Sequence, residues 1–471
     1  MEPCSYGIPR DADHLCVLIH GLWGSPSHMN FLAESLRERY GDQLHILVAK
    51  SNTGTLTYDG IDLGGERVAR EIEETLNALA DEGCQIKKLS VVGYSLGGLV
   101  ARYALGLLDA RGWLNKLEPV NFTTFASPHV GARIPLKGIY SHLWNNIGSR
   151  ATSVSGHQLF MVDSFRESGR PMLSIMAGPD SIFIQALKKF KNRCLYANIV
   201  NDRSTVFYTT AMSTIDPFQN LENIRINYVN GYEPVIIDPD VYTLPSEVKP
   251  ALPFGIRFQR SMKSIVNNLP FWFFIFVFFA IILPIFLMSS VVQTIRSRQR
   301  IRLHGEGQNR LLLENYRVPV MIQEVQGAVE EAYDSASFKQ DPAYISGSTE
   351  IHRKETGAWR KGPSEKTRAV EDTLSSGSQD VTSVSDSDGP SDSSSATAGH
   401  SDMNQRHPTL ALMPAQFAII ESLNSVGFRK YPVYIHNHRH SHAAIIMRVP
   451  KKGFEEAKVI VKHWLDKEFE I

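Results

Sequence analysis

The chain has 471 residues, and its 49 basic and 49 acidic side chains balance to zero formal charge at pH 7. That neutrality leaves no electrostatic footprint for a nucleic-acid partner, and the length exceeds what one compact core needs. Four cysteines (Cys4, Cys16, Cys84 and Cys194) are scattered, with neither the pattern of a disulfide framework nor that of a zinc site, so they read as reduced, structural thiols.

Residues 1–13 are polar and contain no hydrophobic region, so no cleavable signal peptide is expected. The first apolar run, Leu15-Cys16-Val17-Leu18-Ile19, reads as a short buried strand that ends in His20-Gly21-Leu22-Trp23-Gly24. Ser25-Pro26 then has the form of an N-cap with proline at the first helical position. Met29, Leu32 and Leu36 follow at helical spacing, and Gly41 ends the helix. Residues 45–49 read as a second strand. Val68, Ile72, Leu76 and Leu79 form one apolar stripe on a charged helix that stops at Gly83.

A third apolar run, Leu89-Ser90-Val91-Val92, leads into Gly93-Tyr94-Ser95-Leu96-Gly97 and then a helix from Gly98. A serine at the tip of a tight strand-to-helix turn is held in a strained conformation with its hydroxyl exposed. Glycines flank it because a side chain there would meet the neighbouring strand and helix. Ser95 is therefore the candidate nucleophile. In hydrolases of this kind a loop beginning His-Gly after an early strand supplies one oxyanion N–H, and the residue after the nucleophile supplies the other. Those donors are the backbone amides of Leu22 and Leu96, with Gly21 and Gly24 giving the turn its freedom. Alternating strands and helices predict a mostly parallel sheet with helices on both faces, the α/β-hydrolase arrangement.

Further strand candidates lie at residues 120–125, 172–176 and 195–200. The first contains the sequon Asn121-Phe122-Thr123, which a core strand would keep silent. A reaction triad requires an acid and a histidine after the serine, in that order. Asp202 stands just past a strand-like run, where open α/β sheets place their functional loops. Asp180 and Asp163 are the alternatives. For the base, the strand candidate at residues 431–436, which ends in His436, leads into Asn437-His438-Arg439-His440-Ser441-His442. His442 is the choice, with His440 and His436 behind it. His129 precedes the acid and reads as a loop residue shaping an acyl pocket. No metal and no cofactor is expected, since no cysteine or carboxylate joins the histidines and triad chemistry needs no metal. Phe454, Ala457, Ile460, Val461 and Trp464 mark a terminal helix.

Four segments together resemble the fungal serine esterases of the lipase-like DUF676 family: His20–Gly24, Gly93–Leu99, Phe125-Ala126-Ser127-Pro128-His129-Val130-Gly131 and His440-Ser441-His442-Ala443-Ala444. Within that family the likeness is greatest to its yeast lipid-droplet phospholipase branch. The likeness covers residues 13–215 and the last 40 or so residues, with Ser127 where relatives often carry threonine. It implies an α/β-hydrolase fold, carboxyl-ester hydrolysis on glycerolipids, and a Ser-Asp-His triad carried here by Ser95, Asp202 and His442.

Residues 269–292 form an uncharged apolar stretch of 24 residues, long enough to enter a bilayer and interrupted by Pro284. Arg257, Arg260 and Lys263 precede it, and Arg296, Arg298, Arg300 and Arg302 follow, so charge does not distinguish its two sides. Residues 303–335 are mostly polar, with one candidate amphipathic helix over 318–333. Residues 336–407 are rich in Ser, Asp, Gly and Thr and read as disordered. The expected organisation is a hydrolase core over 1–256, a membrane anchor over 257–302, a linker over 303–407 and a core-completing segment over 408–471. Ser95 and Asp202 precede the stretch and His442 follows it, so an intramolecular triad requires a monotopic anchor that enters and leaves on one face. Such an anchor suits a lipid-droplet monolayer and the endoplasmic reticulum membrane, with the enzyme facing the cytosol. The expected substrates are phospholipids or related glycerolipids. Neutral-lipid or monoacylglycerol lipase and protein acyl-thioesterase activities are the enzymatic alternatives, and a catalytically idle membrane scaffold is the non-enzymatic one.

Overall fold

The computed structural model describes residues 12–133, 135, 153–202, 205–219, 221–244, 292, 295–297, 299–300, 302, 344 and 407–471. Six strands form one sheet: β1 (His14–Ile19), β2 (Leu44–Val48), β3 (Lys88–Tyr94), β4 (Glu118–Phe125), β5 (Asn192–Asn198) and β8 (Arg429–Val433). All neighbours are parallel, in the order β2-β1-β3-β4-β5-β8. Two short strands, β6 (Arg225–Ile226) and β7 (Thr243–Leu244), pair antiparallel on their own. A parallel sheet is covered on both faces, which is why its strands read as continuous apolar runs.

Within β1 the side chains alternate between two cores, as the pleat requires. Leu15, Val17 and Ile19 join the cluster that contains α2 (Ile61–Asp81) and α3 (Leu96–Ala110), while Cys16 and Leu18 join the one beneath α1 (Asn30–Tyr40). The predicted stripes are buried: Met29, Leu32 and Leu36 on one face, and Val68, Ile72, Leu76 and Leu79 on the other. Gly41 leaves α1 at φ 54°. The thiols of Cys16, Cys84 and Cys194 are free and buried. Asn121 is fully buried within β4, so its sequon faces no solvent.

One expected strand is a helix. Residues 172–176 form a short helix, Met172–Met176, entered through Pro171. A five-residue apolar run does not distinguish strand from helix, and methionine and leucine favour the helix. The sheet also has no vacancy there, because β5 pairs directly with β4. Asp163, an alternative for the acid, accepts the Met172 N–H at 2.9 Å and so holds the start of this helix.

Residues 407–471 complete the sheet. Helix Pro414–Asn424 precedes the edge strand β8, and the terminal helix Ala457–His463 buries Ala457, Ile460 and Val461, followed by Trp464. The apolar stretch falls outside the described residues except Val292, as do the candidate helix at 318–333 and, apart from Tyr344 and His407, the Ser-rich region. Among the described residues, no helix is long and apolar enough to cross a membrane.

Candidate active site

Ser95 sits between β3 and α3 at φ 54° and ψ −127°, a backbone conformation that costs a non-glycine residue energy and persists only where its surroundings impose it. The turn is tight because its glycines touch backbone. A Cβ on Gly93 would overlap the backbone of Gly98, and one on Gly97 would overlap the carbonyl oxygen of Ile19. The Ser95 N–H donates to the Phe125 carbonyl at 2.9 Å, tying the turn to the end of β4.

Three segments far apart in sequence meet at this serine. The Ser95 hydroxyl lies 2.9 Å from His442 Nε2, and His442 Nδ1 lies 2.9 Å from Asp202 Oδ2. Asp202 follows β5, and His442 lies in the short helix Ser441–Ala444 beyond β8, both at the carboxyl ends of adjacent parallel strands. With Nδ1–H donating to the carboxylate, Nε2 is left bare to accept the serine proton. Burial is the largest influence on the Asp202 carboxyl and would raise its pKa. The charge of His442, its hydrogen bond, and those from Asn198 and Thr205 together outweigh burial and hold the carboxyl below its usual range.

The carboxylate is fully engaged. The Thr205 N–H donates to Oδ1 at 2.9 Å, while the Thr205 hydroxyl and Asn198 Nδ2 donate to Oδ2 at 2.8 and 2.9 Å. Thr205 Oγ1 also lies 3.0 Å from His442 Nδ1. Tyr94, beside the serine, donates its hydroxyl to the His442 carbonyl at 3.0 Å and packs its ring 5.1 Å from the imidazole. The Ser441 hydroxyl donates to the Val200 carbonyl at 2.8 Å, clamping the histidine loop to the acid loop. Sequence reasoning passed over Asn198, Thr205 and Tyr94. The Asp-x-x-Thr spacing from Asp202 to Thr205 carries a readable signal, since a carboxylate that accepts a nearby downstream amide is common turn chemistry.

The other candidates lie elsewhere. Asp180 is exposed in a turn. Asp163 is held above its ordinary pKa by burial, at the start of the Met172 helix. His436 contacts Glu456 at 3.1 Å, and His438 packs edge-on to Phe454. His440 is buried, its N–H donating to His438 Nδ1 at 3.0 Å. The alternating histidines thus diverge, and among the described residues no group of three His, Cys, Asp or Glu side chains is placed to hold a metal ion. His129 is fully buried, with Nε2 2.9 Å from Thr124 Oγ1, and burial keeps its pKa well below the ordinary value.

Leu96 follows Ser95 directly, and Gly21, the residue before Leu22, lies against the Ser95 side chain. Leu96 is the first residue of α3, where backbone amides have no intrahelical acceptor and the helix dipole favours negative charge. Leu22 lies in a turn closed by the Gly24 N–H on the Gly21 carbonyl at 3.1 Å, which leaves the Leu22 amide unused by the turn itself. The glycines serve space rather than freedom. A Cβ on Gly21 would lie 2.7 Å from Ser95 Cβ, and one on Gly24 would lie 2.6 Å from His20 Nδ1. Trp23 is the residue of this turn at positive φ, 55°. It is held there by its N–H, which donates to Thr57 Oγ1 at 3.1 Å.

The parallel sheet, the strained serine turn and the Ser95–His442–Asp202 chain of hydrogen bonds define a protein of the α/β-hydrolase type. Residues 9–215 match the sequence family described as Putative serine esterase (DUF676), which bears out the expected resemblance over that stretch. The chain is 30% identical over 229 residues to the putative lipase ROG1 of Saccharomyces cerevisiae, an alignment spanning 47% of this chain and 32% of that protein. It is also 30% identical over 274 residues to the putative lipase C4A8.10 of Schizosaccharomyces pombe, spanning 54% and 34%. The chain thus covers about a third of the length of these relatives. Among solved structures, the propeptide form of Bacillus licheniformis lipase BlEst2 aligns at a TM-score of 0.29 and 15% identity, covering 42% of this chain and 38% of that one. Phospholipase PlaB of Legionella pneumophila aligns at a TM-score of 0.24 and 12% identity, covering 41% and 40%.

Proposed function

We propose that the chain is a serine hydrolase that cleaves carboxyl-ester bonds of phospholipids or related glycerolipids at a membrane or lipid-droplet surface. The observation that carries the reading is the unbroken relay from Ser95 Oγ through both nitrogens of His442 to Asp202, with 2.9 Å at each step. His442 Nε2 accepts the hydroxyl proton as Ser95 Oγ attacks the acyl carbon. Asp202 keeps the imidazole in the productive tautomer and stabilises the imidazolium. The amides of Leu22 and Leu96 receive the charge that develops on the carbonyl oxygen. His442 then returns its proton to the leaving alcohol, and water, activated by the same nitrogen, releases the acyl group from Ser95. The lipid assignment is supported by the apolar stretch at residues 269–292 and by the family to which residues 9–215 match.

A fluorophosphonate probe tests this directly. Wild-type protein should be labelled at Ser95, and Ser95→Ala should lose both labelling and ester hydrolysis, by ~10⁴-fold or more in turnover. Retention of a tenth of wild-type turnover in Ser95→Ala would exclude the assignment. Product analysis on mixed phospholipid vesicles then separates phospholipid from neutral-lipid cleavage.

A further inference from the structure

Asp59 takes no part in the relay above, yet its side chain is 0% exposed and is held by two arginines. Arg67, on α2, donates Nη2 to Oδ2 at 2.7 Å. Arg300, from just beyond the apolar stretch, donates Nε to Oδ2 at 2.9 Å and Nη2 to Oδ1 at 2.5 Å. One arginine already neutralises the carboxylate. A second buried guanidinium adds desolvation cost without a further charge to satisfy. What its planar fork adds is geometry: two parallel bonds that fix the carboxylate in direction as well as place.

The fixed element is the support of the oxyanion turn. Asp59 ends the turn Gly54–Tyr58, donating its N–H to the Leu56 carbonyl at 3.2 Å, and Arg300 Nη2 also donates to the Thr55 carbonyl at 3.2 Å. That turn grips the segment carrying Leu22 at two points. The Gly54 N–H donates to the Gly24 carbonyl at 2.8 Å, and Thr57 Oγ1 accepts the Trp23 N–H at 3.1 Å. The Trp23 and Tyr58 rings pack at 6.4 Å. Trp23 is in a left-handed conformation that does not persist unaided, so the support holds the residue next to Leu22 in place.

We propose that Arg300 is a positioning residue for the oxyanion turn, acting through Asp59 and the Gly54–Tyr58 turn. Arg300, eight residues beyond the apolar stretch, is thereby part of the frame of the active site. This inference rests on the serine-hydrolase reading.

The test uses the full chain, p-nitrophenyl butyrate as a water-soluble ester, and active sites counted by titration with a fluorophosphonate. Arg300→Met leaves Asp59 paired with Arg67, so no buried carboxylate is stranded. Its kcat per titrated site should fall about tenfold with KM within about twofold, the scale expected when a transition-state donor is slightly misplaced. Arg300→Lys, which keeps the charge and loses the fork, should recover part of that loss and remain about threefold below wild type. A merely structural role would lower the number of titratable sites and leave kcat per site unchanged, and that result overturns the inference. If Arg300→Met does not fold, Arg300→Lys decides: turnover per site equal to wild type overturns the inference. A wild-type protein that neither titrates nor hydrolyses removes the serine-hydrolase reading and the inference with it. An active wild type with Arg300 variants unchanged per site removes the inference alone.

Discussion

Asp202 accepts hydrogen bonds from Thr205 and Asn198 as well as from His442, so its orientation does not depend on the imidazole. An acid held from three sides presents one oxygen to His442 throughout the reaction, which preorganises the charge that must face the imidazolium. Thr205→Val keeps the shape and the backbone N–H but removes the hydroxyl shared between Asp202 Oδ2 and His442 Nδ1. Loss of a hydrogen bond to a charged group costs about 1.5 kcal/mol. We expect kcat to fall about tenfold, with the fluorophosphonate still reacting at Ser95. A steady-state kcat within twofold of wild type would leave Thr205 no role at the acid.

The elbow shows why local composition is so restrictive where elements converge. Gly97 faces the Ile19 carbonyl of β1, and Gly93 faces the start of α3, so neither position has room for a methyl group. Gly97→Ala should force β1 and α3 apart and destabilise the fold by about 1–3 kcal/mol, visible as a lower urea midpoint. Gly41 is the contrast. It has nothing within 4 Å of a would-be Cβ but sits at φ 54° and ψ −126°, the backbone conformation of Ser95, so Gly41→Ala should cost about 1–3 kcal/mol through backbone strain alone. An unchanged midpoint for Gly97→Ala would contradict the packing account. The Met172–Met176 helix illustrates the converse, since five apolar residues were compatible with either element until the β4–β5 pairing left no strand position open.

At the scale of the whole chain, the site is divided by the apolar stretch: Ser95 and Asp202 come before residues 269–292 and His442 after. Hydrocarbon ~30 Å thick cannot separate groups that must share a proton. A tag near Arg10 and a tag at Ile471 should therefore be digested together by protease on intact microsomes. Protection of the C-terminal tag in protein that still reacts with the probe would refute the same-side anchor. Acid sensitivity belongs to the same scale. His14 and His463 are buried and lowered to about 4, chiefly by loss of solvation, and burial also lowers His129. The unfolded chain binds protons near pH 6.5 at these sites while the folded chain does not, so their contribution is intact above pH 6.5 and shrinks as pH falls toward 4. Asp216, raised to about 6 by burial, and Asp163, also raised by burial, work in the opposite direction, two groups against four histidines once His20, lowered by burial, is counted. Thermal midpoints should therefore drop between pH 7 and pH 5, and a flat profile would rule out neutral buried histidines as the cause.

The sequence alone determined the alternation of strands and helices and the serine elbow with its glycines. Each rests on contacts between residues close in the chain, where spacing and turn chemistry are readable. It also brought Asp202 and His442 forward as acid and base, though only among competitors of the same type. Tertiary structure decided between them, because β5 and β8 are neighbours in the sheet while distant in the chain, and their ends bring the two loops within hydrogen-bond reach. Asp180 falls on another turn, while His436 contacts Glu456 and His440 only opens the helix that carries His442. The Asp59–Arg300 pair could not be read from sequence at all, since no periodicity links residues 241 positions apart. Only the folding of the chain back onto the Gly54–Tyr58 turn makes them partners.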